Sequence, residues 1–236
     1  MCGRYVTPGE ADIERYWHIG RHNWRSPFAN VRQTRYNVAP QQGNPRSYVP
    51  VIRANEDGTL ELTDMQWWLL PFWSKETRIK YSTFNARAEG AATAASFREP
   101  FKRRRCLIPA LGWYEWQVLP NGKQPWYLYS ANKEPLAFAG LWDRWEKGEQ
   151  AIESCTIIVG EANPAVRQVH DRMPLLIPRE RQAEWMSREL TDAEEVKNIL
   201  QPTASEAIAF HRVSNRVGNA KDDDVSMIEP LEREGA

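Results

Sequence analysis

The chain begins Met1-Cys2-Gly3-Arg4-Tyr5, and a cysteine in second place invites chemistry. Its side chain is small, so aminopeptidase trimming of Met1 would leave Cys2 with a free α-amine and a thiol on adjacent carbons. Unperturbed, these groups titrate near ~8 and ~8.5, so both are partly nucleophilic at neutral pH. An amine and thiol so placed condense with an aldehyde to an imine. Sulfur then closes on the imine carbon to give a five-membered thiazolidine. The same thiol can attack an acyl carbon, as in N-terminal-nucleophile hydrolases. A third reading makes Cys2 a small hydrophobe that only packs. Taken alone, the residue does not choose among the three.

Two further residues have acid–base character. Trp113-Tyr114-Glu115-Trp116-Gln117-Val118 alternates as a strand does, which sets Glu115 on one face with Trp113 and Gln117. Between large apolar neighbours, desolvation would raise its pKa and suit it to proton transfer. Facing water, it would remain an ordinary carboxylate. His170 lies at the end of a short helix predicted to start at Asn163-Pro164, an N-cap followed by proline at the first helical position. A lone histidine there is as readily structural as catalytic. Lys102-Arg103-Arg104-Arg105 is a basic run, either a solvated face or a phosphate contact.

Composition bounds the rest. At 236 residues with 42% hydrophobic and 26% charged residues, the chain is expected to be one soluble globular domain. Lys plus Arg and Asp plus Glu balance at 31 each, so a polyanion would have to meet a local basic patch. Cys2, Cys106 and Cys155 are far apart with no CxxC pair, which argues against a disulfide framework or a zinc site. His18, His22, His170 and His211 form no ligand spacing with one another or with the cysteines, so neither a metal nor an organic cofactor is implied. The N-terminus has no signal-peptide pattern and no apolar stretch reaches membrane-spanning length, so the expected location is cytoplasmic. Eleven tryptophans can serve the core or stack on bases.

The elements that must position these residues are mostly strands. A helix is predicted over 8–17, a polar excursion over 18–34, and strands over 47–52, 59–62 and 65–70, with Asp57-Gly58 as a hairpin turn. Ser82 to Asn85 run into Ala86-Arg87-Ala88-Glu89, and the Ala-rich stretch that follows, up to Phe97, is predicted to be helical. Strands follow at 106–109, 113–118 and 126–129 around the Asn121-Gly122 hairpin signal, then at 138–141, 156–159 and 207–213. Two surface helices are predicted over 178–190 and 191–200, with Thr191 and Glu194 as a capping box for the second. Strict βαβ alternation is absent. The expected class is α+β, a single domain whose twisted, partly closed and mostly antiparallel sheet or barrel is flanked by short helices. The domain is expected to span 1–225, with 226–236 a poorly ordered tail.

These segments together resemble the SOS response-associated peptidase family of abasic-site-processing proteins. The stretches that carry the resemblance are Met1-Cys2-Gly3-Arg4-Tyr5, Arg35-Tyr36-Asn37-Val38-Ala39-Pro40 and Phe84-Asn85-Ala86-Arg87-Ala88-Glu89, followed by Cys106-Leu107-Ile108-Pro109, Gly112-Trp113-Tyr114-Glu115-Trp116 and His170-Asp171-Arg172-Met173-Pro174, and finally Val213-Ser214 through Asn219-Ala220-Lys221. They run in family order over nearly the whole chain.

The resemblance implies a single α+β domain with a positive groove for single-stranded DNA. It implies covalent capture of abasic sites, whose ring-opened sugar is an aldehyde, through the mature N-terminal cysteine. Cys2 matches the nucleophile, Asn85 the residue that positions the opened sugar and the amine, Glu115 the acid–base group, and His170 a second one tied to ring opening and crosslink reversal. Arg4, Arg87 and Arg172 match residues that hold the DNA backbone. Trp67 and Pro40 match apolar positions near the groove that stack on or wedge against bases. Also implied are a hydrolase- or lyase-like activity, a peptidase function that removes Met1, a monomer, and a nucleoid location during DNA damage.

Two positions depart from the family pattern. Trp68 follows Trp67 where glycine is usual, and Val159 stands where relatives often carry threonine. Two other readings stay open at this point. One is a general N-terminal-nucleophile peptidase, and the other is a non-covalent single-stranded DNA binding module in which Cys2 is structural.

Overall fold

Two long antiparallel strands, β9 (Leu136–Lys147) and β10 (Gln150–Glu161), form the spine of the molecule. The computed structural model describes residues 2–20, 33–42 and 46–231. On one side of the spine β9 pairs with β6 (Arg105–Ala110), which pairs with β3 (Tyr48–Ala54), which pairs with β4 (Leu60–Trp67), all antiparallel. β4 then returns to β10 as a parallel neighbour, Cys155 opposite Trp67, and closes a five-stranded mixed barrel. The β3–β4 turn is made at Asp57-Gly58, where Gly58 takes φ +82° and Asp57 Oδ1 accepts the Thr59 N–H at 2.9 Å.

Side-chain alternation divides the barrel into an inside and an outside. Val49 and Val51, Cys106 and Ile108, and Cys155, Ile157 and Val159 point into one buried cluster. Their neighbours Ile52, Leu107 and Ile158 point outward into a second. That outer cluster is covered by α1 (Glu10–Trp17), α3 (Arg98–Arg103), α4 (Gln182–Met186) and α5 (Ala193–Lys197). With both faces buried, these strands read in the sequence as apolar runs rather than as alternation.

A second, all-antiparallel sheet carries β1 (Tyr5–Thr7), β2 (Arg35–Val38), β7 (Gly112–Leu119), β8 (Gly122–Ser130) and β12 (Ile208–Arg212), in the order β12-β8-β7-β1-β2. Gly112 is required where β7 meets β8, because a Cβ there would lie 2.5 Å from both the Leu128 carbonyl oxygen and the Tyr127 ring. The tight turn is Pro120–Asn121, with Gly122 paired to Leu119, one residue earlier than an Asn-Gly centre would give. Two short strands complete the fold: β5 (Asn85–Arg87), which runs into α2 (Ala88–Ala91), and β11 (Arg172–Pro174).

The α+β barrel is as expected, but several elements differ from their sequence signals. Residues 59–70 contain one strand ending at Trp67, not two. Of the Ala-rich stretch after Glu89 only Gly90 and Ala91 are helical, as the end of α2, and turns follow up to Phe97. The cap of α5 is Asp192, whose carboxylate accepts from the Glu194 and Glu195 N–H groups; Thr191 is not used. The 226–236 tail was expected to be loose, yet packing continues to Leu231. Asp224 caps a 3₁₀ turn over Val225–Ile228, Met227 is fully buried, and the Leu231 N–H reaches the Arg212 carbonyl. His22 and much of the 18–34 excursion lie outside the described residues.

Candidate functional site

The C-terminal half of β10 leaves the barrel and takes two new neighbours. On one edge β5 runs parallel to it, with Asn85 opposite Ile157 and Arg87 opposite Val159. On the other edge β11 runs antiparallel, with Arg172 opposite Glu161. One strand end therefore holds Asn85, Arg87 and Arg172, and His170 lies two residues before β11. The second sheet supplies the remainder. β1 pairs with β7 through Tyr5 opposite Trp113, and the Tyr114 N–H donates to the Arg4 carbonyl at 3.0 Å, which carries Cys2 toward Glu115.

Cys2 is fully buried and lies in the barrel-side core cluster. Burial pushes its thiol well above the ordinary range, the Glu115 charge pushes it further, and the Arg4 backbone N–H partly offsets both. Cys106 and Cys155 are also free, buried thiols held in the neutral form by desolvation.

Glu115 is buried on β7 opposite Trp126, and desolvation raises its carboxyl to about 7. His170 places Nε2 at 3.9 Å from Glu115 Oε2. Its Nδ1 meets the Arg172 backbone N–H at 3.0 Å and the Arg172 carbonyl at 3.3 Å, contacts that suit a proton on Nε2 and on Nδ1 respectively. Burial lowers the His170 pKa, a trend countered by Asp171, whose Oδ1 lies 3.0 Å from Nδ1.

Asn85 is buried. Its amide nitrogen donates to the Phe84 carbonyl at 3.1 Å, while its buried Oδ1 has no partner among the described residues.

The basic residues divide. Arg87 is exposed and Arg172 half-buried, its guanidinium paired to Glu89 at the start of α2. Arg4, by contrast, is engaged within the protein, donating to Asn37 Oδ1 at 2.9 Å and to the Val217 and Gly218 carbonyls at 2.7 and 3.1 Å. Asn37 in turn donates to the Asn219 and Asp222 carbonyls. Three of the recognised stretches thus meet around one guanidinium. Arg105, in the basic run, is likewise internal and satisfies the Trp185, Ser187 and Leu190 carbonyls.

Trp67 requires correction. Its ring is fully buried, edge-on to Tyr5 at 5.1 Å and to Phe84 at 6.2 Å, with Nε1 donating to the Phe84 carbonyl. It has no free face for a base. Pro40, just beyond β2, is half-buried. Phe72, Trp73 and Tyr81 carry exposed aromatic surface, and Trp73 Nε1 donates to the Ala95 carbonyl beyond α2. Nothing in the spacing of Phe72 and Trp73 separates them from the other aromatics; only their position after Pro71, where the strand signal stops, hints at exposure. Trp68 turns inward onto Phe84 and a small apolar cluster, and Val159 is buried in the core.

Comparison with known proteins fits this geometry. Residues 1–220 match the family described as SOS response associated peptidase (SRAP). The chain belongs to that family. Among its relatives, the abasic site processing protein YoqW of Bacillus subtilis is 33% identical over 232 residues, covering 97% of this chain and 99% of the relative. YedK of Escherichia coli, also named an abasic site processing protein, is 32% identical and covers 98% and 100%. The chicken protein HMCES, of the same description, is 30% identical and is covered over 78% of its length. A solved structure from Bacteroides thetaiotaomicron superposes with a TM-score of 0.80 at 23% identity, covering 97% of this chain and all of that one, which shows a common fold. Among the described residues of this family member there is no cluster of three or more His, Cys, Asp or Glu fit to hold a metal, and no helix long and apolar enough to cross a membrane.

Proposed function

We propose that this protein senses abasic sites in single-stranded DNA and captures them covalently through Cys2. The observation that carries this reading is the 3.9 Å approach of His170 Nε2 to Glu115 Oε2, a carboxyl pushed up to about 7 whose charge also reaches the buried Cys2 thiol. The relatives named abasic site processing proteins support it.

In the proposed reaction Met1 is first removed, by the chain itself or by an aminopeptidase. Ionised Glu115 takes a proton from the Cys2 ammonium, and the neutral amine attacks C1′ of the ring-opened sugar aldehyde. The proton returned to the carbinolamine hydroxyl expels water and leaves the protonated imine, whose N–H proton is then lost to Glu115 to give the neutral imine. The Cys2 S–H then adds across the C=N bond: sulfur bonds to carbon and the proton moves to nitrogen. The sum is aldehyde plus aminothiol giving thiazolidine plus water, with no oxidant or cofactor. A carboxyl at about 7 is present in both forms near neutral pH, as these proton transfers require. Neutral His170 offers its Nε2–H to the sugar oxygen during ring opening, and Asn85 Oδ1 accepts from the amine or sugar hydroxyl.

Arg87 and Arg172 would hold phosphates on either side of β10, with Phe72 and Trp73 as the stacking faces. The protein would act as a single chain in the cytoplasm, close to the DNA. The deciding experiment mixes protein, shown by intact mass to begin at Cys2, with an oligonucleotide bearing one abasic site, and runs a denaturing gel. A heat-resistant shifted band that requires the Cys2 amine is expected. Its absence would sink the reading and favour a peptidase acting on peptides.

A further inference from the structure

Between β4 and β5 the chain makes an excursion, residues 72–82, reading Phe72-Trp73-Ser74-Lys75-Glu76-Thr77-Arg78-Ile79-Lys80-Tyr81-Ser82. It differs from an ordinary surface loop in composition. Phe72, Trp73 and Tyr81 are 51%, 47% and 46% exposed, three of the large apolar side chains most open to solvent among the described residues. Lys75, Arg78 and Lys80 are exposed and have no ion-pair partner among the described residues. The only acid in the stretch is Glu76. In a chain whose charges balance overall, this is a local excess of positive charge interleaved with aromatic faces.

The loop is also held firmly. Ile79 is buried with Leu70, Trp145 and Ile152 in a small apolar cluster, onto which Trp68 packs. The Ile79 backbone pairs in both directions with one side chain, donating to Gln42 Oε1 at 3.1 Å and accepting from Gln42 Nε2 at 2.8 Å. Trp145 Nε1 donates to the Ser74 carbonyl at 2.7 Å. Gln42 follows Pro40 by two residues. On the other flank Tyr81 Oη meets Ser96 Oγ at 3.3 Å, in the segment after α2. The loop therefore bridges the Pro40 segment and the stretch following Arg87, and its last residues lead directly into Asn85.

We infer that Lys75, Arg78, Lys80 and Tyr81 form a second single-strand track, which binds the DNA flanking the lesion rather than the lesion itself. Exposed cations neutralise phosphates of a single strand, and an exposed ring such as that of Tyr81 stacks a base without regard to its sequence. Because the loop is pinned at Ile79 and Ser74, little ordering is needed on binding. This inference rests on the function proposed above and extends it to the undamaged strand.

The test compares wild type with a Lys75→Ala/Arg78→Ala/Lys80→Ala variant and with Tyr81→Ala. Fluorescence anisotropy is read on single-stranded oligonucleotides carrying one abasic site and flanks of increasing length, in borohydride-free buffer, using Cys2→Ala backgrounds to isolate non-covalent binding. At ~0.7 released counterions per phosphate contact, the triple variant should lower the salt slope by about 2 and weaken binding to long oligonucleotides about tenfold near 0.1 M salt. Short oligonucleotides should bind both proteins equally. Tyr81→Ala should weaken long-flank binding without changing the slope. In the Cys2-containing background, crosslink yield at saturating DNA should be unchanged, which also reports that the variants fold. An unchanged slope with intact crosslinking would overturn the track alone. Failure of wild type to crosslink would overturn both proposals.

Discussion

His170 Nε2 lies 3.9 Å from Glu115 Oε2, although the two residues arrive from different sheets. Glu115 is fixed by β7 and His170 by the turn before β11, where the Arg172 N–H holds Nδ1. An imidazole whose pKa burial lowers thus faces a carboxyl that burial pushes up to about 7. The pair can carry a proton in either direction near neutral pH.

Replacing Glu115 by glutamine keeps the shape and removes the titration. The single-turnover rate of crosslinking should fall about a hundredfold, at the lower end of what a positioned acid–base group supplies. Wild type should show a rate that rises with pH through about 7, as the carboxylate forms. Glu115→Gln should lose that inflection and keep only the ionisation of the amine near ~8. A retained inflection near 7 would assign it to another group.

Cys2→Ala and Arg87→Glu should fail in opposite ways. Cys2 is buried and supplies the proposed nucleophile, whereas Arg87 is exposed and offers only its charge. Cys2→Ala should abolish the denaturation-resistant band and leave oligonucleotide affinity within about threefold, since phosphate contacts supply most of it. Arg87→Glu should weaken affinity at least tenfold while saturating DNA restores crosslinking. A crosslink formed by Cys2→Ala would point to a lysine imine instead.

Arg4 tests a role assigned by resemblance against a role visible in its contacts. Its guanidinium ties Asn37 to the Val217 and Gly218 carbonyls. Arg4→Ala should therefore destabilise the fold by ~2–4 kcal/mol, as expected when charged hydrogen bonds are lost and their acceptors are stranded. Urea unfolding measures this directly. Unchanged stability with reduced DNA affinity would return Arg4 to the DNA surface.

These residues also show how much of the site the sequence makes legible. The burial of Glu115 is readable because strand alternation sets it on one face with Trp113 and Gln117. The barrel strands are readable as apolar runs, but their closure through the parallel β4–β10 pair is not, because register across distant segments leaves no local mark. Trp67 and Phe72 show the other limit. Both are aromatics close to the end of one strand, and only the third dimension decides that Trp67 faces Tyr5 while Phe72 faces solvent. Asp222 to Asp224 look like a solvated acidic tail. Instead they serve as partners, with Asp223 accepting the Tyr36 and Asn37 N–H groups and Asp224 meeting Arg216. A carboxylate and backbone N–H groups that stand 186 and 187 residues apart in the chain, as Asp223 and the Asn37 and Tyr36 N–H groups do, cannot be paired by inspection.

Asp64 gives a prediction independent of DNA. It is buried on β4 opposite Pro50, and burial raises its carboxyl to about 7, with Arg35 pulling in the other direction. A carboxyl whose folded pKa exceeds its unfolded value holds its proton more tightly in the native state. Stability is therefore greatest below the unfolded pKa of 3.8, declines as pH rises through the interval up to about 7, and levels off above it. Asp64→Asn removes this term. Between pH 5 and pH 8 the wild type should lose ~2 kcal/mol more than the variant, a difference reduced by whatever screening Arg35 provides. Urea midpoints at the two pH values measure it. Parallel pH profiles for the two proteins would mean that Asp64 stays ionised in the core, held by Arg35 more firmly than burial opposes it.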